Sequence, residues 1–89
     1  MRLNFPNPSR SFDETGKRVR FWGYDSAIEV AFFVEEDALK KLCPEMANVE
    51  DGFLKAFDDA RKRIHEVADK VYVRADDGYH AYSLEADDF

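Results

Sequence analysis

His65 and His80, with Asp76 and Asp77 close by in sequence, are the side chains of this chain best suited in type to hold a divalent metal. A protein metal site of this kind announces itself by a fixed ligand spacing, which these four residues lack. His65 also lies at the margin of an apolar helical stripe, where a half-buried packing role suffices, so no metal is expected. Cys43 is the lone thiol. It stands just before Pro44 at the end of an expected helix, where the dipole disfavours a thiolate, and it has no charged base beside it. A structural thiol is the expectation. Asp58 and Asp59 are adjacent carboxylates, but neighbours on a helix splay by about 100°. Each also has a base four positions on, Lys62 and Arg63, so they read as a solvated face. Nothing here supplies a nucleophile with its base or a phosphate-cradling glycine loop. Neither enzymatic activity nor a cofactor is expected.

One constellation remains. Arg18, Arg20, Trp22 and Tyr24 alternate along one segment, and Glu29, Ala31 and Phe33 share the matching side of the next. Exposed aromatics on a sheet mark an interaction surface. Two occupants suit it: a second copy of the chain or another protein, and, as the alternative, single-stranded nucleic acid stacked on arginine and aromatic rings. The covering segment that would make it ordinary is the N-terminus, folding over it through Leu3, Phe5 or Phe12. Nucleic acid is disfavoured by the formal net charge of −6, since phosphates reward clustered cations. The charge is also uneven: residues 1–44 carry 7 basic and 7 acidic side chains, and 45–89 carry 6 and 12. The Lys/Arg-Gly-Phe signature of the common RNA-binding sheet is missing as well.

The elements that must position this face follow from periodicity. Lys17 to Tyr24 alternates with Val19, Phe21 and Gly23 on one side; Ala27 to Val34 alternates with Ile28, Val30, Phe32 and Val34 on one side. With Asp25 and Ser26 as the turn, Phe21 faces Val30, Val19 faces Phe32 and Gly23 faces Ile28, a hairpin with one apolar face. Glu35 to Leu42 reads as a short helix, acidic at its start, with Lys40 and Lys41 in its last turn and Pro44 beyond its end. Phe53, Phe57, Ala60, Ile64, Val67 and Val71 then recur every three or four residues, which predicts one long amphipathic helix from an Asn48 N-cap to about Tyr72. Asp58–Lys62, Asp59–Arg63 and Glu66–Lys70 are expected ion pairs along it. Arg61 would lie over the core edge or hold the acidic tail at Asp87, Asp88 and Phe89. After Asp76-Asp77-Gly78, Tyr79 to Leu84 alternates as a third strand. A second hairpin over Val71–Arg74 and Tyr79–Tyr82 is the weaker alternative, because the stripe keeps its phase through Val71. Residues 1–16, with Pro6, Pro8 and Gly16, read as an irregular lead-in in which Leu3 and Phe5 make at most a short edge strand.

The predicted architecture is therefore a single two-layer α+β domain over 1–89, in the order β-β-α-α-β, with an acidic tail at 85–89. It has a small sheet packed on one long and one short helix. A domain of 89 residues buries only about 60–65% of its unfolded surface, so self-association is an economical way to enlarge the core. One cysteine excludes an internal disulfide, and no run is apolar enough for a membrane span or a signal peptide, which together imply a soluble protein of a reducing cytoplasm.

Several stretches taken in order resemble a family of small bacterial proteins, domain of unknown function 1488. They are Phe5-Pro6, Ser9-Arg10, Phe12-Asp13, Val19-x-Phe21, Ala38-Leu39, Ala56-Phe57, Arg61, Ile64, Ala68, Leu84 and Asp88-Phe89. The resemblance covers nearly the whole chain and implies a stand-alone α+β domain. It implies no activity, substrate or cofactor. Between the first two strands this chain has Tyr24-Asp25-Ser26 where the family suggests a glycine-containing turn.

Overall fold

A computed structural model describes residues 2–75 and 81–89 of the chain. Four strands form one sheet in the order β1-β2-β3-β4: β1 is Arg10–Asp13, β2 Arg18–Asp25, β3 Ile28–Glu35 and β4 Ala81–Leu84. The first three pair antiparallel, and β4 runs parallel to β3. Three helices, α1 (Glu36–Leu42), α2 (Glu50–Asp59) and α3 (Arg61–Ala75), lie between β3 and β4, and a short 3-10 turn (Ala86–Asp88) follows. The class is α+β, as the periodicities predict, while the order is β-β-β-α-α-α-β.

This topology decides where the helices sit. Parallel neighbours need a crossover that leaves the sheet and returns along one of its faces. Every α-helix of the described residues belongs to that one crossover, from β3 through α1, α2 and α3 to β4. The layer of helices accordingly buries Val19, Phe21, Val30, Phe32, Val34 and Leu84 of one sheet face against Leu39, Phe53, Phe57, Ile64 and Val67. The rings of Phe21, Phe32 and Phe57 meet at its centre, with centroids 5.3 Å apart for Phe21–Phe32 and 5.1 Å for Phe21–Phe57.

Several expectations are corrected. The predicted long helix is two, broken at Ala60, whose φ of −109° and ψ of 14° leave the helical region. Its amide is shared between the carbonyls of Ala56 and Phe57 before Ile64 resumes the ladder on Ala60. The stripe continues in phase across this kink, which is why its period hides the break. The expected pairs Asp58–Lys62 and Asp59–Arg63 span the break and do not form. Asp58 binds Arg10 and Arg61 instead, and Asp59 binds Lys55. Asn48 is not the cap of α2: Val49 holds that position without a side-chain hydrogen bond.

The lead-in is less irregular than its prolines suggest. Arg10–Asp13 adds β1 to the sheet because its backbone completes the free edge of β2, with Phe12 set against Val19 and packed on Phe53 at 5.0 Å. Further back, Asn4 bridges Tyr24, and Leu3 is fully buried in the core. Asp69 of α3 secures this segment by accepting from the backbone N–H groups of Arg2 and Leu3 at 2.9 and 2.8 Å.

The hairpin turns one residue later than expected, at Ser26-Ala27, so Phe21 pairs with Phe32, Val19 with Val34 and Gly23 with Val30. A slip of two positions keeps every side chain on its predicted face. Ser26 takes a left-handed φ of 56°, which permits the tight reversal, and Asp25 is held in the strand by Arg2 and by the Tyr72 hydroxyl at 2.8 Å. Ile28, counted with the core, is exposed at the strand end, beyond the helices. Of the third strand, Ala81–Leu84 is β4; Tyr79 and His80 lie outside the described residues, and α3 running to Ala75 replaces the alternative hairpin.

Arg61 does not hold the tail. Its guanidinium lies 4.8 Å from the Phe57 ring centre and donates to the Pro8 carbonyl and to Asp58, which supports the core-edge role. The tail is held from α1, where Lys41 donates to the carbonyls of Ala86 and Phe89 at 3.1 and 2.7 Å, and from α3 through Arg74 and Asp88. No helix among the described residues is long and apolar enough to cross a membrane.

Gly52 gives a test of this packing. In the first turn of α2, a Cβ at this position would run into the carbonyl group of Ala47. Helix propensity alone would make Gly52→Ala stabilising by about 1 kcal/mol. A clash with backbone should outweigh that, giving a net loss of about 1–2 kcal/mol, measured as a lowered midpoint in urea unfolding.

Candidate interaction face of the sheet

With all the described α-helices on one side, the other face of the sheet carries the side chains of alternate parity. On β2 these are Arg18, Arg20, Trp22 and Tyr24; on β3 they are Glu35, Phe33, Ala31 and Glu29. The ladder sets them in rows across the strands: Arg18 beside Glu35, Arg20 beside Phe33, Trp22 beside Ala31 and Tyr24 beside Glu29. Ser11 of β1 extends the Arg20 row, Ala81 of β4 the Trp22 row and Ser83 the Phe33 row. Large rings thus occupy the middle strands and small residues the flanks.

Leu3, Phe5 and Phe12 do not cover this face. Leu3 is in the core, Phe12 packs on Phe53, and Phe5 stacks on His65 at 4.0 Å on the helix side. Gly23 is what lets Phe5 approach: a Cβ there would come within 2.7 Å of its ring. Trp22, Tyr24 and Phe33 are left half-buried and Arg20 exposed.

The charges on this face differ in how far they are committed. Arg18 bonds Asp13 at 2.8 Å and Glu35 at 3.3 Å, and its guanidinium lies over the Phe33 ring at 3.9 Å. The bond from Arg18 holds the Asp13 carboxyl below its ordinary range, and the same pairing raises the arginine. Arg20 has no ion pair among the described residues; it lies 5.0 Å from the Trp22 ring and 5.8 Å from Phe33. Such cation–π contacts contribute about 0.5–1 kcal/mol at an exposed site. At the far end the Tyr24 hydroxyl donates to Glu29 at 3.1 Å, and that carboxylate pushes the phenol's pKa up. The five residues singled out from sequence, Arg18, Arg20, Trp22, Tyr24 and Phe33, therefore share one surface.

The chemistry-bearing residues do not converge. His65 is half-buried between Phe5 and Phe21 on the helix side, and desolvation followed by the nearby Arg61 cation lowers its pKa to about 4. Asp76, Asp77 and His80 lie outside the described residues, and no group of three or more metal-binding side chains occurs among the described ones. Cys43 is half-buried, with its Sγ 3.8 Å from the Ala56 carbonyl. It lines a cleft of about 750 Å³ with Met46, Val49 and Lys55. Asp58 and Asp59 each face a cation, so neither is poised as an acid or base. Sequence reasoning missed Asp69, Asp25 and Lys41, whose partners lie 67, 47 and 48 positions away; a separation of that size leaves no local signal.

Comparison with known proteins supports the fold and adds no chemistry. No curated protein matches the chain. A crystal structure of a protein of unknown function from the DUF1488 family, from Shewanella loihica PV-4, superposes with a TM-score of 0.79. The match covers 94% of this chain and 92% of that one at 20% identity, which bears on the fold alone. The family model described as protein of unknown function (DUF1488) matches residues 3–84, from the buried Leu3 to the buried Leu84, and the chain belongs to that family.

Proposed function

We propose that this chain is a non-enzymatic interaction protein of the bacterial cytoplasm that self-associates through the open face of its sheet. The observation that carries the reading is the placement of every described α-helix on one side, which leaves Trp22 and Phe33 half-exposed on the other. The small flanking residues Ser11, Ala81 and Ser83 keep that face low enough for a flat partner to approach. Two eight-residue strands and two of four residues have a footprint of about 400 Å² per copy. A face-to-face pair then buries about 800 Å², the size of a weak, transient interface. A weak, concentration-dependent dimer is the expected form.

The nucleic-acid reading has less support. Arg18 is already neutralised by Asp13 and Glu35, which leaves Arg20 as the face's uncommitted cation among the described residues. The net charge of −6 opposes phosphate.

Light scattering coupled to size exclusion, over a dilution series, tests the proposal. The native chain should run as a dimer that dissociates on dilution, and Trp22→Glu should be a monomer with an unchanged circular dichroism spectrum. A native chain that stays monomeric throughout, or a folded Trp22→Glu that remains dimeric, removes the reading.

A further inference from the structure

On the middle strands of the open face each side chain stands beside one of complementary kind. Arg18 adjoins Glu35, the Arg20 cation adjoins the Phe33 ring, the large Trp22 adjoins the small Ala31, and the Tyr24 hydroxyl adjoins the Glu29 carboxylate. Three of these are contacts within the chain: Arg18 to Glu35 at 3.3 Å, Arg20 to the Phe33 ring centre at 5.8 Å and Tyr24 to Glu29 at 3.1 Å. A two-fold axis repeats such pairs between copies, provided that it exchanges the two strands. In the order β1-β2-β3-β4 the midline of the sheet falls between β2 and β3. An axis along the strands on that midline gives the fullest overlap, β2 of one copy over β3 of the other and β1 over β4. It permits no sliding, so every row meets the same row of the other copy. Arg18 then opposes Glu35, Arg20 opposes Phe33, Trp22 opposes Ala31 and Tyr24 opposes Glu29, each twice by symmetry.

Resting on the self-association reading above, we infer that the occupant of the face is a second copy of this chain, docked about a two-fold axis along the β2–β3 midline, with both hairpin tips at the same end. No like charges oppose each other in these four rows. Arg20, which has no ion pair among the described residues, gains a second ring in a site that docking desolvates, where cation–π contacts strengthen. An axis across the strands sets β2 over β2 and β3 over β3 and fits less well. On the Trp22–Ala31 row it stacks indole on indole, leaves Ala31 over Ala31 and sets Glu29 against the Phe33 ring. On the Arg20–Phe33 row it sets Arg20 against Arg20, and midway between these rows it sets Glu29 against Glu35. Aligned packing of twisted sheets at about −30° keeps the central rows opposed and splays the corners.

Spin labels at the two ends of the sheet test the orientation separately from the face. Ala27, in the β2–β3 turn, and Thr15, in the β1–β2 turn, are both exposed. Ala27→Cys and Thr15→Cys, each in a Cys43→Ser chain, give one label per copy, and circular dichroism checks each fold. In concentrated solution the labels at 27 should lie roughly 10 Å apart and those at 15 about 15 Å apart, from the spacings of packed sheets and of strands. An axis across the strands would separate either pair by about 30 Å, at about 3.3 Å per residue of strand. Trp22→Glu in the labelled chains should abolish the coupling between labels. A dimer with both pairs near 30 Å overturns the orientation and leaves the face standing. Coupling that persists in Trp22→Glu removes the face and the orientation together. So does a native chain that is monomeric at all concentrations, or one that binds short single strands in a salt-dependent way through this face.

Discussion

Phe57→Ala should cost about 3–5 kcal/mol of folding stability, the range for removing a fully buried phenylalanine. Phe57 is 0% exposed and lies where the helix layer meets the sheet, its ring 5.1 Å from Phe21 and under the Arg61 guanidinium. Truncation deletes contacts to both layers, and collapse of the helices into the void is opposed because α2 is tied to β1 through Arg10–Asp58 and α3 to the lead-in through Arg61 and the Pro8 carbonyl. For a domain of this size, with a total stability of about 5–15 kcal/mol, the loss should lower the melting temperature by at least about 12 °C. Phe33→Ala is the internal control. The same side chain on the open face is half-buried, and its removal should cost about 1 kcal/mol in the monomer. Calorimetry of both variants at low concentration separates the two faces; equal losses would mean that the outer face is packed as tightly as the core.

Acid sensitivity should be set by His65. Its folded pKa is about 4, against about 6.5 in an unfolded chain. Burial between Phe5 and Phe21 is the larger cause and the Arg61 cation the smaller. The unfolded state therefore takes up a proton below pH 6.5 that the folded state refuses until near pH 4. The stability contributed by the neutral imidazole is full above about pH 6.5 and is lost as the pH falls through that window, by about 2 kcal/mol at pH 5 before some reduction for solvent at the half-exposed ring edge. His65→Phe keeps an aromatic ring against Phe5 and removes the titration. Urea unfolding at pH 7 and pH 5 should show the native chain losing about 1–2 kcal/mol more than the variant. Near pH 4 and below, Asp58 and Asp13, whose pKa values are lowered by Arg10 and Arg18, add their own loss. An identical loss in native chain and variant between pH 7 and 5 would place the acid sensitivity elsewhere.

Faces are legible from local sequence and partners are not, and the two outcomes have one cause. Which way a side chain points from a strand or helix depends on its immediate neighbours through a period of two or of about 3.6. Hence Trp22 and Phe33 fall on one face and Phe53, Phe57, Ile64 and Val67 on one stripe by spacing alone, and even the shifted hairpin register leaves those assignments intact. The break at Ala60 is invisible because the apolar spacing runs through it unchanged, and with it go the predicted pairs of Asp58 and Asp59. The proline-containing lead-in gives no sign of β1, because a strand of four residues on a sheet edge is selected by the backbone it completes more than by its own pattern.

The class, the two apolar faces and the membership of the Trp22 surface are thus written in the order of the amino acids, all as consequences of short-range periodicity. That this surface stays open is a property of the folded chain. It rests on the parallel pairing of β4 with β3, which confines the described helices to one crossover, and on Asp69, the Asn4–Tyr24 bridge and His65, which hold Leu3 and Phe5 on the helix side. Contacts between residues far apart in the chain have no period to read: they form because the core closes around them, and the closed core then determines which surfaces remain free for a partner.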